Sequence, residues 1–204
     1  MSLIPHFELI SLVKAVGYPG ITTIVFLESG VPVGFFLPGA SMLFTAGLLS
    51  SQGFFNPWIL IPLVTVAAIL GDNAGYWFGR KVGIRLFLRP DSRWFHHRHL
   101  ERAKRFYDSY GARAIFLGRF VPIVRTFAPI VAGVVEMNYK AFLNYNIAGA
   151  LAWAAGVTFL GFYLGAKVPI VGQYLTEIVV LIIIITFLPL VWDYIKKKPL
   201  EDVL

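Results

Sequence analysis

Four ionisable residues stand in otherwise apolar stretches of this 204-residue chain: Glu28, Asp72, Arg119 and Arg125. Glu28 interrupts the run ITTIVFLESGVPVGFFLPG, Asp72 lies beside Asn73, and the two arginines share the stretch 114–135. A charge at the centre of a bilayer costs about 2.5–3.5 kcal/mol even on lenient insertion scales, so such groups pair or face water and usually mark a pathway. Arginine suits bidentate capture of phosphate, because its guanidinium is a planar fork of donors that stays charged. On a regular helix Arg119 and Arg125 would point to different faces. Pro122 lies between them and breaks that regularity, which allows a hairpin to turn both guanidiniums to one cavity. Half-helix N-termini at such a break add positive potential for an anion. Glu28 and Asp72, facing the same interface, can exchange protons with the cavity as its access changes. The bland alternative is that these carboxylates pair with the arginines and only hold the segments together.

The elements that must position these residues are membrane elements. Hydrophobic residues make up 57% of the chain and charged residues 14%, against about one-quarter charged in a soluble domain that must face water. Apolar stretches fall at roughly 20–50, 58–78, 114–135, 141–164 and 170–192. The last contains a nearly continuous apolar run from Leu175 to Trp192, with Glu177 near its start, close to the ~20 residues that cross a hydrocarbon core. The first 17 residues read as an amphipathic or interfacial helix rather than a cleavable signal. The formal charge is +7, but ten of the 18 basic residues lie between Arg80 and Arg113 and three more are Lys196, Lys197 and Lys198. Short basic stretches beside apolar spans follow the positive-inside pattern, which favours lipid headgroups over nucleic acid as the partner.

Parity then fixes a topology. With both basic regions cytoplasmic, the spans 141–165 and 170–193 cross out and back, and the C-terminus is cytoplasmic. The stretch 114–135 must therefore enter and leave on one face, as a re-entrant hairpin broken at Pro122 and Pro129. Irregular backbone at that depth survives only where protein or a water-filled cavity covers it. The first half repeats the scheme. Residues 20–52 form a hairpin broken at Pro32, Pro38 and Gly39, followed by a span at 57–80 and a basic cytoplasmic amphipathic segment at 81–113. The first hairpin closes on Ala46-Gly47 and the second on Ala132-Gly133. Each following span ends in a Gly/aromatic signature, Gly75-Tyr76-Trp77-Phe78-Gly79 and Gly161-Phe162-Tyr163-Leu164-Gly165. The expectation is one all-α membrane domain over residues 1–204, built as an inverted repeat, with a binding site at the repeat interface.

Other chemistry is thinly represented. Cysteine is absent, which excludes disulfides and thiolate catalysis. His96, His97 and His99 invite a metal reading, but Glu101 is the only acid near them and basic neighbours repel a cation. No metal site and no cofactor is expected. No phosphate loop, nucleophile elbow or paired-carboxylate enzyme site is present, and the histidines lie away from the charged hairpins, so no enzyme activity is expected.

The charged positions also carry a family resemblance. Glu28-Ser29, Pro32 and Phe36-Leu37-Pro38-Gly39 come first, then Gly71-Asp72, Gly75-Tyr76 and Gly79-Arg80. Phe116, Gly118-Arg119-Phe120-Val121-Pro122, Arg125 and Ala132-Gly133 follow in order. Over about residues 17–170 the chain resembles the DedA family, also called SNARE-associated or VTT-domain proteins, and the G-R-F-x-P-x-x-R element is the most specific part. The resemblance implies two opposed re-entrant hairpins and movement of polyprenyl phosphate or phospholipid across the bilayer. In a bacterial plasma (inner) membrane the implied cargo is undecaprenyl phosphate, with proton-motive force often implicated. It also implies that Glu28, Arg119 and Arg125 are functional positions, with Asp72 a frequent second acid. Where many members carry an acid after the Pro-Gly of the first hairpin, this chain has Ala40-Ser41, so coupling must fall to Glu28 or Asp72 or be absent. A proton-coupled exporter of small cations or a membrane-homeostasis protein is the alternative function, and a homodimer is one of the open oligomeric states.

Overall fold

The computed structural model describes residues 8–31, 34, 37, 39–83, 107 and 110–167. The expected span at 170–193, most of the basic segment 81–113, Pro32 and Pro38 lie outside those residues. Among the described residues every regular element is helical.

The first described element, α1 (Glu8–Gly30), is two helical stretches broken at Gly17, whose φ of 57° is costly for any residue with a Cβ. Pro19 follows the kink, and the hydroxyls of Thr22 and Thr23 donate to the Pro19 carbonyl at 2.9 and 2.8 Å. The N-terminal segment expected as a separate interfacial helix to residue 17 is, from Glu8, a helical stretch that this break at Gly17 sets off from the first apolar limb. After α1 the Gly34 N–H donates to the Val31 carbonyl at 2.8 Å and the Leu37 N–H to the Gly34 carbonyl at 2.8 Å. The chain returns as α2 (Gly39–Ser51).

Helix α3 (Pro57–Phe78) is capped by Asn56, whose side chain accepts from the Trp58 N–H, and opens on a proline whose missing N–H costs nothing there. It continues into a π-turn, Gly79–Gly83. The second broken unit is α4 (Arg113–Gly118), a turn at 119–121, and α5 (Pro122–Val134). Asn138 caps α6 (Tyr139–Ala150), which passes through a π-turn at Leu151–Ala155 into α7 (Gly156–Lys167).

The π-turn has a packing reason. At 100° per residue the buried face of α6 (Phe142, Asn146, Gly149), continued by Trp153 in the π-turn, would have drifted well round the helix by Thr158 and Gly161. The extra residue of a π-turn cancels about 100° of that drift, so Thr158 and Gly161 are buried on a continuous face.

Two helical rods, 57–82 and 139–167, are long and apolar enough to cross a bilayer. At 1.5 Å per residue each reaches about 40 Å, against a hydrocarbon core of about 30 Å. Ile59, Leu63, Val66 and Leu70 form one exposed apolar stripe on α3, and Phe159, Leu160 and Tyr163 are exposed on α7. A stripe of this size is at home against lipid tails.

Glycines set the closest helix contacts. On α2, Gly47 lies against the backbone of Thr158 and Phe162, while Gly161 of α7 lies against the Phe44 carbonyl. On α5, Gly133 lies against the Tyr76 carbonyl and Arg80 N–H, while Gly79 lies against the Ile130 carbonyl. Gly133 follows Gly47 in sequence by the same interval that separates Gly161 from Gly75. Thus Ala46-Gly47 and Ala132-Gly133, expected as hairpin closures, sit inside α2 and α5 as packing surfaces. The reversals come earlier, between α1 and α2 and at 119–121. Small residues do this because a bare Cα lets two backbones approach within an apolar medium.

Candidate functional site

The two chain reversals bring the intramembrane charges together. Glu28 lies in the last turn of α1 and is fully buried. Gly30 meets Gly71 closely enough that a Cβ on Gly30 would come within 2.7 Å of the Gly71 carbonyl oxygen. That contact sets Glu28 on α1 and Asp72 on α3 at neighbouring levels. From the second broken unit, Arg119 occupies the turn after α4 and Arg125 the first turn of α5.

Arg119 pairs with Asp72, both almost wholly buried. The same Nη2 group donates to Asn146 Oδ1 at 2.5 Å and approaches the Ala68 carbonyl at 3.5 Å. Its Nε is buried with no hydrogen-bond partner among the described residues. Arg125 pairs with Glu28 and lays its guanidinium over the Trp153 ring, 4.4 Å from the centroid. Beyond that ion pair, neither Glu28 oxygen has a hydrogen-bond partner among the described residues. Each guanidinium is engaged by its own carboxylate, and the two pairs are lined by one face of α6 and its π-turn.

The expected hairpin breaks are placed as follows. Gly39 opens α2 and touches the Glu28 carboxylate, and Pro122 opens α5. Both helix N-termini thus begin at the reversals, where the positive end of the helix dipole favours negative charge. Pro129 is not a break: it lies inside α5, packed near Gly75 of α3. The helix tolerates it because only the bond to the Arg125 carbonyl is lost and neighbouring helices cover the site.

Three residues missed by sequence reasoning complete the site: Asn146, Gly149 and Trp153. A Cβ on Gly149 would stand 3.1 Å from Arg119 Nε. The available signal was an asparagine and a tryptophan seven residues apart in an apolar span, hence on one helical face. Tyr107, at the end of the basic segment, donates to the Ala128 carbonyl at 2.9 Å, one turn beyond Arg125. Burial pushes its phenol well above the ordinary range, so it remains a donor. No cluster of metal-ligating side chains occurs among the described residues, and the histidines at 96, 97 and 99 lie outside them.

Comparison with known proteins places this geometry in context. The VTT domain matches residues 37–163. The chain is 42% identical over 177 residues to the protein DedA of Escherichia coli, covering 86% of this chain and 80% of that one. It is 43% identical over 173 residues to an uncharacterised membrane protein of Mycobacterium tuberculosis, covering 84% and 75%. A similar protein of Mycobacterium leprae is 40% identical over 171 residues, covering 84% and 76%. No solved structure matches. With apolar rods long enough to span and relatives named as membrane proteins, the chain is a membrane protein, and it belongs to the VTT-domain (DedA) family.

Proposed function

We propose that this protein moves a phosphorylated polyprenyl lipid, undecaprenyl phosphate or a related phospholipid, across the bacterial plasma membrane. Arg119 and Arg125 receive the phosphate, and Glu28 and Asp72 serve as internal counter-ions that take up protons when the phosphate displaces them. The observation that carries this reading is the pairing of a buried and a largely buried arginine with two buried carboxylates where the two broken helical units meet.

Charge balance explains why the pairs suit exchange rather than permanent bonding. Each pair is neutral as it stands, so it is tolerated at depth. A lipid phosphate offers the guanidiniums more acceptor oxygens and more charge than a carboxylate does. It can take the carboxylate's place if the released acid is neutralised by a proton. Glu28 lies against Gly39, the first residue of α2, so in this arrangement its carboxylate stands where a helix N-terminus would favour an anion.

An inverted repeat of two re-entrant hairpins is the architecture that fits this use. The reciprocal docking supports it, since α2 packs on the glycine signature of the second span and α5 on that of the first. Such repeats rock about a site at their interface.

The test is translocation of a fluorescent undecaprenyl phosphate analogue in proteoliposomes. Wild-type protein should move it, and Arg119→Ala and Arg125→Ala should not, while both variants still insert. Normal translocation by either variant sinks the phosphate role. Cation flux without lipid movement would point instead to a proton-coupled exporter.

A further inference from the structure

The α6 face that lines both ion pairs presents no charge. Asn146, Gly149 and Trp153 fall at i, i+3 and i+7, so they form one stripe. Asn146 Oδ1 accepts from Arg119 Nη2 at 2.5 Å, and its Nδ2 donates to the Ile69 carbonyl at 3.1 Å. Both ends of the amide are thus used, and the amide is fully buried. One turn on, the Arg119 side chain takes the space of the missing Cβ of Gly149, which would stand 2.7 Å from Cδ and 3.1 Å from Nε, and Nε is a buried donor without a partner among the described residues. A further turn on, Trp153 stacks on Arg125 at 4.4 Å.

Resting on the lipid-phosphate reading above, we propose that Asn146 and Trp153 are positioning residues. They hold the two guanidiniums in place while carboxylate is exchanged for phosphate, and Gly149 accommodates the Arg119 side chain in a position that leaves Nε uncommitted, as a donor to a phosphate oxygen. Neutrality is the point of the arrangement. A third carboxylate on this wall would compete with the incoming anion, and an aliphatic wall would release each arginine when its carboxylate left. An amide oxygen and an indole face attract a guanidinium without neutralising it.

The wall is open to substitution without collapse. The Ile69 carbonyl also accepts from Asn73 Nδ2 at 2.8 Å, so losing the Asn146 amide does not orphan it. The experiment is equilibrium binding of a short-chain polyprenyl phosphate to the detergent-solubilised full-length protein, paired with the substrate dependence of translocation in proteoliposomes. Asn146→Asp, which adds a fixed competing anion at nearly constant shape, should weaken binding by about tenfold or more. Trp153→Leu should weaken it by about fivefold or more, and Trp153→Phe should recover most of the loss because it restores an aromatic face. Gly149→Ala should weaken binding by crowding Nε, with Asn146 and Trp153 intact. In translocation these changes should appear in the half-saturating concentration more than in the maximal rate. Binding by Asn146→Asp and Trp153→Leu within about twofold of wild type overturns the proposal while leaving the lipid-phosphate reading standing. A wild-type protein that binds no polyprenyl phosphate overturns both.

Discussion

The carboxylate of Glu28 occupies the space that a side chain on Gly39 would need. A Cβ built on Gly39 would overlap both carboxylate oxygens, so glycine at the first position of α2 is what allows Glu28 to reach Arg125 across the reversal. Gly39→Ala should therefore displace Glu28 and act like a weakened ion pair. The expected cost is about 1–3 kcal/mol, the usual scale of overpacking, read as a lower midpoint of thermal unfolding in detergent. In the Glu28→Ala background the same substitution should cost much less, because the clash has gone. Additive costs for the two substitutions would show that Gly39 serves only the helix start.

The pair of Arg119 with Asp72 makes a different prediction. Both are buried, so removing one leaves an uncompensated charge, at about 3–5 kcal/mol. Asp72→Ala and Arg119→Ala should each destabilise strongly, and the double variant should be more stable than either single one, in the same unfolding assay. Asp72→Asn should fall between wild type and Asp72→Ala, because its amide oxygen still accepts from Arg119 Nη2.

The two halves of the glycine packing should respond alike. Gly47→Ala meets the Thr158 backbone and Gly133→Ala meets the Tyr76 carbonyl, and neither obstacle is a flexible side-chain end. Each should lower the unfolding midpoint by a similar amount, about 1–3 kcal/mol in stability. Gly149→Ala, which meets only the movable side chain of Arg119, should cost less stability while impairing ligand binding.

How far the sequence discloses this arrangement depends on which physical signal a residue carries. Glu28, Asp72, Arg119 and Arg125 were legible because charge in an apolar stretch has few explanations. Helical class and the rods at 57–82 and 139–167 were legible from length and apolarity. The pairing was not, because a short segment can turn Arg119 to either acid, and only the Gly30–Gly71 contact decides which level each carboxylate occupies. Prolines misled at Pro129, where neighbouring helices cover the lost backbone bond, and Ala46-Gly47 was mistaken for a closure because glycine serves turns and close packing equally. Asn146 and Trp153 stayed hidden because neither is charged. Their role follows from facing a guanidinium, which no pattern within α6 encodes.

Arg125→Lys separates charge from shape. Lysine keeps the positive charge opposite Glu28, so the variant should fold nearly as well as wild type and clearly better than Arg125→Ala, whose loss strands a buried carboxylate. But an ammonium is a compact point charge, without the planar fork that stacks on Trp153 and grips two phosphate oxygens. Stability and transport should therefore part company: a near-normal unfolding midpoint alongside translocation reduced by about tenfold or more, the scale of one lost charge-assisted hydrogen bond. Full transport by Arg125→Lys would mean that charge alone suffices at this position. In that case the stacking of Arg125 on Trp153 contributes to packing and not to substrate handling.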